Sequence, residues 1–266
     1  MPGLFVLRAA CLLLAFLATL LVPLARADDG LRPPTSQPPR IAIIIDDLGY
    51  AEAAGRRAIR LPGPVSVAVL PETPSGRALA ELARSQGRDV LLHLPLQSQL
   101  PRAEVEPGGI VLDMSRDQFA RTFAGSLASV PHVVGINNHR GSLLTRHPGH
   151  MRWLMEEIRA REGLFFIDSY TTHHSVALDA AVEAGVPAVR RDVFLDNNRS
   201  PSHIAAEFER LKHLARLQGS AVGIGHPHPE TLDFLEQQLP QLAAEGIELV
   251  SISSLVKSRV VAGAAH

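Results

Sequence analysis

Asp46 and Asp47 stand side by side directly after the apolar run Ile41–Ile45, and three later runs lead into histidine. His93 follows Val90-Leu91-Leu92, His139 ends the stretch from Val133 to Asn138, and His226 and His228 follow Ala221 to Gly225. Carboxylate and neutral imidazole are both ligands of divalent ions. Two adjacent carboxylates ionise together only where a cation or hydrogen-bond donors compensate them. His93, His139 and one aspartate would give three protein ligands and leave a position for water, the count of a catalytic rather than a structural zinc site. Residues two apart in an extended chain face the same way, so His226 and His228 are a rival metal pair, or one of them serves as a general acid. Zinc is the favoured ion, and manganese, cobalt or nickel can occupy the same donors.

Groups so far apart in sequence converge only if the segments before them run in parallel. Ile41–Ile45 is continuous, β-branched and apolar, the pattern of a strand buried on both faces of a parallel sheet. Further strands are expected at 65–70, 89–92, 132–136, 164–167, 188–190, 220–224 and 247–250. Helices are expected at 51–60, 76–86, 115–129, 148–161, 175–184, 201–217 and 229–244. Seven or eight such units in one domain predict an α/β fold, a distorted parallel (β/α) barrel of about seven strands. The alternative, a doubly wound sheet, lacks its phosphate loop, since Ile45-Asp46-Asp47-Leu48-Gly49 carries neither glycine fingerprint. In a barrel the strand ends converge on one mouth. Asp168-Ser169 and Arg191-Asp192 complete six polar strand ends, more than helix capping explains.

The 266 residues are 46% apolar and 20% charged with a net charge of -1. That composition excludes a disordered chain and gives no basic footprint for nucleic acid. A single cysteine, Cys11, excludes a disulfide scaffold. Residues 1–27 read as a signal peptide, with Arg8 before the uncharged stretch 9–24 and Ala25-Arg26-Ala27 at the cleavage site. Export to the periplasm or beyond is therefore expected. If uncleaved, this segment would be the chain's one contact with a membrane, although it falls short of the ~20 residues that span a bilayer. Residues 28–39 form a proline-rich linker, 40–258 the domain and 259–266 a C-terminal tail.

The segments Ile43-Ile44-Ile45-Asp46-Asp47-Leu48-Gly49, His93-Leu94-Pro95-Leu96, Asn137-Asn138-His139-Arg140-Gly141-Ser142, Phe166-Ile167-Asp168-Ser169, Arg191-Asp192-Val193-Phe194-Leu195-Asp196 and Gly225-His226-Pro227-His228-Pro229 together resemble the divergent polysaccharide deacetylase family. That family is similar in fold to the NodB-like carbohydrate esterases, which remove N- or O-acetyl groups from chitin-like sugars and peptidoglycan. The resemblance implies a polysaccharide or peptidoglycan-like partner and a metal held by Asp47, His93 and His139. His139 replaces the second histidine that the better-known deacetylases carry in one motif with the first. Asp46 would be the general base and His226 the general acid, with Arg191 orienting or charge-balancing Asp46. Asp168, Asp192, Asn138 and His228 would support them. The competing expectation is a catalytically silent protein that binds glycan or another partner through the same cleft.

Overall fold

The computed structural model describes residues 37–100 and 105–263, with side chains to Arg259. The expected signal peptide and most of the linker lie outside the described residues. Nine strands run parallel. They are β1 (Arg40–Leu48), β2 (Ser66–Val69), β3 (Val90–Leu96), β4 (Val133–Arg140), β5 (Phe165–Asp168), β6 (Ala188–Arg190), β7 (Val193–Phe194), β8 (Ser220–Gly225) and β9 (Glu248–Leu249). Their order is β6-β5-β4-β3-β2-β1-β8-β7, with β9 beside β1. The helices are α1 (Glu52–Ile59), α2 (Gly76–Ser85), α3 (Arg116–Ser129), α4 (Pro148–Arg159), α5 (Ala177–Ala184), α6 (Pro201–Gln218), α7 (Pro229–Gln238) and α8 (Ile252–Gly263). This is the parallel α/β architecture that the sequence predicts, a half-barrel in which eight strands fall where the apolar runs place them and only the two-residue β7 is additional.

Period-two alternation sorts β1 between two apolar layers. Ile41, Ile43 and Ile45 belong to the outer core under the helices, whereas Ala42 and Ile44 pack inside the sheet with Ala68, Leu91, Ile167, Val222 and Ile224. The inner layer is closed from the N-terminal end of the strands by Ile252, Leu255 and Val256 of α8. Two anchors hold the start of that helix: Ile252 N–H donates to Ser66 Oγ at 3.2 Å and Ser253 N–H to Asp89 Oδ2 at 2.8 Å. With this end sealed, the opposite end of the strands is left to function.

Helix starts and stops follow local chemistry. Pro148, Pro201 and Pro229 occupy the first turns of α4, α6 and α7, where no N–H is needed. Ser115 and Gln118 form a reciprocal capping box on α3. Gly185 and Gly219 end α5 and α6 in the left-handed conformation. Two expectations are corrected. The helix expected to reach residue 244 ends at Gln238, because Pro240 turns the chain into a short 3-10 segment, Leu239–Gln241. The final helix runs past residue 258 to Gly263, and Arg259 donates to Ser220 Oγ and its carbonyl at 3.0 Å each, so Arg259 belongs to the domain rather than to a tail.

The sheet path ends at β6 and β7, which do not pair with each other yet are joined by only Arg191 and Asp192. Arg191 N–H bonds to Asp168 on one side, and Asp192 N–H to Val222 on the other. The seam of the barrel is thus crossed by the chain itself. Because Leu255 is fully buried in the inner plug, Leu255→Ala should lower unfolding free energy by about 2–5 kcal/mol. The same truncation at Val182, 73% exposed on α5, should stay within ~0.5 kcal/mol. Urea unfolding of the two variants checks both numbers.

Candidate metal centre at the barrel mouth

In a regular strand Asp46 and Asp47 would point to opposite faces. The β1–β2 register slips between Ile45 and Leu48, and Asp47 takes φ 60°, so both carboxylates reach the mouth. Arg140 at the end of β4 and Tyr170 after β5 also adopt positive φ, at 54° and 50°. Left-handed non-glycine residues thus gather where three strands end, the kind of strain that persists when surrounding contacts over-determine it.

Asp47 Oδ1 lies 3.1 Å from His93 Nε2 and 2.8 Å from His139 Nδ1, and those two nitrogens are 3.1 Å apart. Asp47 Oδ1 is buried and accepts no hydrogen bond of good geometry. A buried acceptor without a donor is costly, and three lone-pair atoms aimed at one another fit a divalent cation. The remaining nitrogens of the two rings have partners: His93 Nδ1 meets Asn137 Oδ1 at 2.8 Å, and His139 Nε2 meets Glu106 Oε1 at 3.2 Å. Arg140 pairs with the same Glu106 oxygen at 3.0 Å. Such outer partners fix ring orientation and tautomer in metal sites. The rival group Asp196, His226 and His228 is also close-set, but its carboxylate is already committed. Asp196 Oδ2 accepts from His226 N–H and the Thr231 hydroxyl at 2.7 Å each, and Oδ1 faces His226 Nδ1 at 2.8 Å.

Asp46 is buried beside this cluster, with Oδ2 3.6 Å from His93 Nε2 and Oδ1 accepting from Asn137 Nδ2 at 2.8 Å. Burial holds its carboxyl above the usual range against the pull of His93 and His226. Burial works the same way on Asp47, but the close imidazoles of His139 and His93 and their charge prevail and hold it well below that range. Desolvation has the opposite sign on His93, where it opposes protonation, and Asp46 and Asp47 more than offset it. On the other flank His226 Nε2 points toward Asp47 Oδ2, 3.9 Å away. Burial lowers His226, yet the Asp196 carboxylate outweighs it and pushes the ring up to about 9.

The supporting residues divide. Asp168 accepts from Tyr170 N–H and the Ser175 hydroxyl at 2.8 Å each, and Asn138 bridges Ser169 N–H and the Arg140 carbonyl, so both shape the loops of the mouth. Arg191 does not bond Asp46: it donates to the Ser169 and Tyr170 carbonyls at 2.7 and 2.9 Å and lies over the Phe194 ring. Its charge acts on Asp46 only through space. Asp192 turns away from the mouth, accepting from Val222 N–H at 2.8 Å and pairing with Arg259 at 3.5 Å, because the chain is crossing the seam there. His228 precedes α7, 5.7 Å from the His226 ring. Asn137, Glu106 and Asp196 are contacts that reading strand ends passes over. A cavity of about 620 Å³ lined by Arg159, Leu164, Phe165, Val186 and Lys257 lies at the other end of the strands and contains none of these groups.

His226 sets a pH dependence for the metal-free protein. Its folded value near 9 exceeds the ordinary 6.5, so protonation favours the folded state. This stabilisation, on the order of 2–3 kcal/mol, is complete below pH ~6.5 and disappears as pH rises through 9. Urea midpoints of chelator-treated protein should fall across that window, and Asp196→Asn should flatten the decline.

Comparison with known proteins gives the same answer from another direction. The divergent polysaccharide deacetylase family matches residues 43–256. An uncharacterised protein of Escherichia coli (strain K12), YibQ, is 38% identical over 217 residues, covering 82% of this chain and 67% of that protein. The structure of an uncharacterised protein, ATU2773, from Agrobacterium tumefaciens C58 superposes with a TM-score of 0.79 at 25% identity, covering 84% of this chain and 92% of that one. The catalytic domain of a peptidoglycan N-acetylglucosamine deacetylase from Eubacterium rectale shares the fold at a TM-score of 0.51 and 14% identity, over 82% of this chain and 91% of that domain. With its family segments spread over the whole barrel and their polar residues gathered at one mouth, the chain belongs to the divergent polysaccharide deacetylases.

Proposed function

We propose that this protein is an exported, metal-dependent hydrolase that removes N- or O-acetyl groups from an envelope polysaccharide such as peptidoglycan. The observation that carries the reading is the unsatisfied Asp47 Oδ1 between two imidazole nitrogens, with a buried carboxylate on one flank and a carboxylate-paired histidine on the other. Asp47, His93 and His139 would hold the ion, and zinc suits this three-ligand N/O set. When bound, such an ion polarises a carbonyl and acidifies water. Export rests on the first 27 residues, whose pattern is that of a cleaved signal.

The chain's own groups supply the proton transfers. Asp46, kept weakly acidic by burial, takes a proton from the attacking water at Oδ2, the oxygen that Asn137 leaves free. His226 carries its proton at neutral pH, because Asp196 holds Nδ1–H and stabilises the imidazolium. Its Nε2–H is the group that faces the site and protonates the departing sugar amine or alcohol. Arg191 keeps the loop after β5 in place, so that Ser169 stays near Asn137.

Two measurements test the assignment. Asp46→Asn should retain about one equivalent of zinc and lose ~10²–10⁴-fold in acetate release from acetylated chitooligosaccharide, whereas Asp47→Asn should lose both metal and rate. His226→Ala should slow release from a sugar amide more than from an activated aryl acetate, and equal losses would remove His226 from the acid role. Wild-type protein that binds zinc and releases no acetate from any acetylated glycan would instead be a glycan-binding member of the family.

A further inference from the structure

The Asn137 carboxamide is fully buried on β4, where the β3–β4 register sets it beside His93 on the inner face of the sheet. Its oxygen is 2.8 Å from His93 Nδ1, and its nitrogen is 2.8 Å from Asp46 Oδ1 and 3.4 Å from Ser169 Oγ. Its two ends therefore meet the two halves of the site, a metal-side imidazole and the carboxylate beside it. We propose that Asn137 is a positioning residue that fixes the tautomer of His93 and the working oxygen of Asp46 together. This rests on the functional reading above, in which His93 is a ligand and Asp46 the base.

The argument is one of donor and acceptor polarity. An amide oxygen only accepts, so a neutral His93 must carry its proton on Nδ1, which leaves the Nε2 lone pair facing Asp47 and His139. An amide NH₂ only donates, so Asp46 Oδ1 must accept, and Oδ2 is left as the oxygen free to take a proton. Turning the amide over would set its oxygen against the Asp46 carboxylate oxygen, so that carboxylate enforces a single orientation. Ser169 Oγ can accept from the second amide hydrogen, which leaves no donor of the group idle in a buried setting. The same side chain thus ties ligand geometry to base geometry: a change at one end is felt at the other.

Aspartate and leucine at this position separate the two ends. Asn137→Asp keeps an acceptor for His93 Nδ1–H but removes the donor to Asp46. Asn137→Leu removes both, and Asn137→Ala takes its place if the leucine variant melts before assay. Calorimetric zinc titration of chelated protein, acetate release at saturating zinc and the ¹⁵N signature of the His93 tautomer are the three readouts. Asn137→Asp should bind zinc within about threefold of wild type and lose ~10²-fold in kcat with KM unchanged. Asn137→Leu should lose 10–100-fold in zinc affinity, mix the His93 tautomers and lose kcat as well. Equal zinc affinities for wild type and Asn137→Leu, or full kcat in Asn137→Asp, overturn the proposal while leaving an active wild type intact. A wild type that binds zinc but has no deacetylase activity overturns the functional reading, and with it the coupling to a base.

Discussion

One backbone irregularity places both carboxylates of the site. β1 arrives at its end with strict alternation, and that alternation would send Asp47 outward among the helices. The extra residue between Ile45 and Leu48, with Asp47 at φ 60°, turns it back. A left-handed non-glycine residue costs roughly 1–3 kcal/mol and persists only where the surrounding structure over-determines it. Glycine at 49 completes the turn: at φ 138° a Cβ there would sit 2.1 Å from Thr73 Oγ1. Strand, slip and turn act as one device for presenting two adjacent acids to one space.

With Asp46 buried and Asp47 half-buried beside it, the rest of the mouth reads as compensation. His93 and His139 answer Asp47, Asn137 answers Asp46, and Asp196 answers His226. The outcome is an asymmetric pair of titrating groups. Asp46 is pushed toward holding a proton and Asp47 toward never holding one, although they are sequence neighbours. Opposite displacement of two close carboxyls gives one site two acids of different proton affinity.

The parallel α/β architecture and most of the mouth were legible in the sequence, because apolar runs that stop at Asp or His mark strand ends. Asp46, Asp47, His93, His139 and His226 are all found that way. Asp196 carries no strand-end signal of its own, since β7 is only two residues long and the polar stretch Asp196-Asn197-Asn198 has the composition of a turn. Glu106 arrives from a proline- and glycine-rich loop whose path no periodicity encodes. Asp192 misled for a related reason: it follows β6, but at that point the chain leaves one sheet edge for the other, and its carboxylate is spent on Val222. Arg191 acts on Asp46 by charge rather than by contact, and its hydrogen bonds go to backbone carbonyls, which are invisible to a reading of side chains.

The unsealed seam also governs how the barrel behaves in a crowd. A half-open sheet ordinarily exposes two rows of unpaired amides, which invite foreign strands to add on. Here the edge strands are three and two residues long, and the residues joining them already spend their N–H groups on β5 and β8. Neither edge is long enough to template cross-β growth, for which segments of six or seven residues are typical. The fold therefore gains the colloidal safety of a closed cylinder while the circumference of its mouth is set by two residues of chain instead of by a hydrogen-bonded ladder.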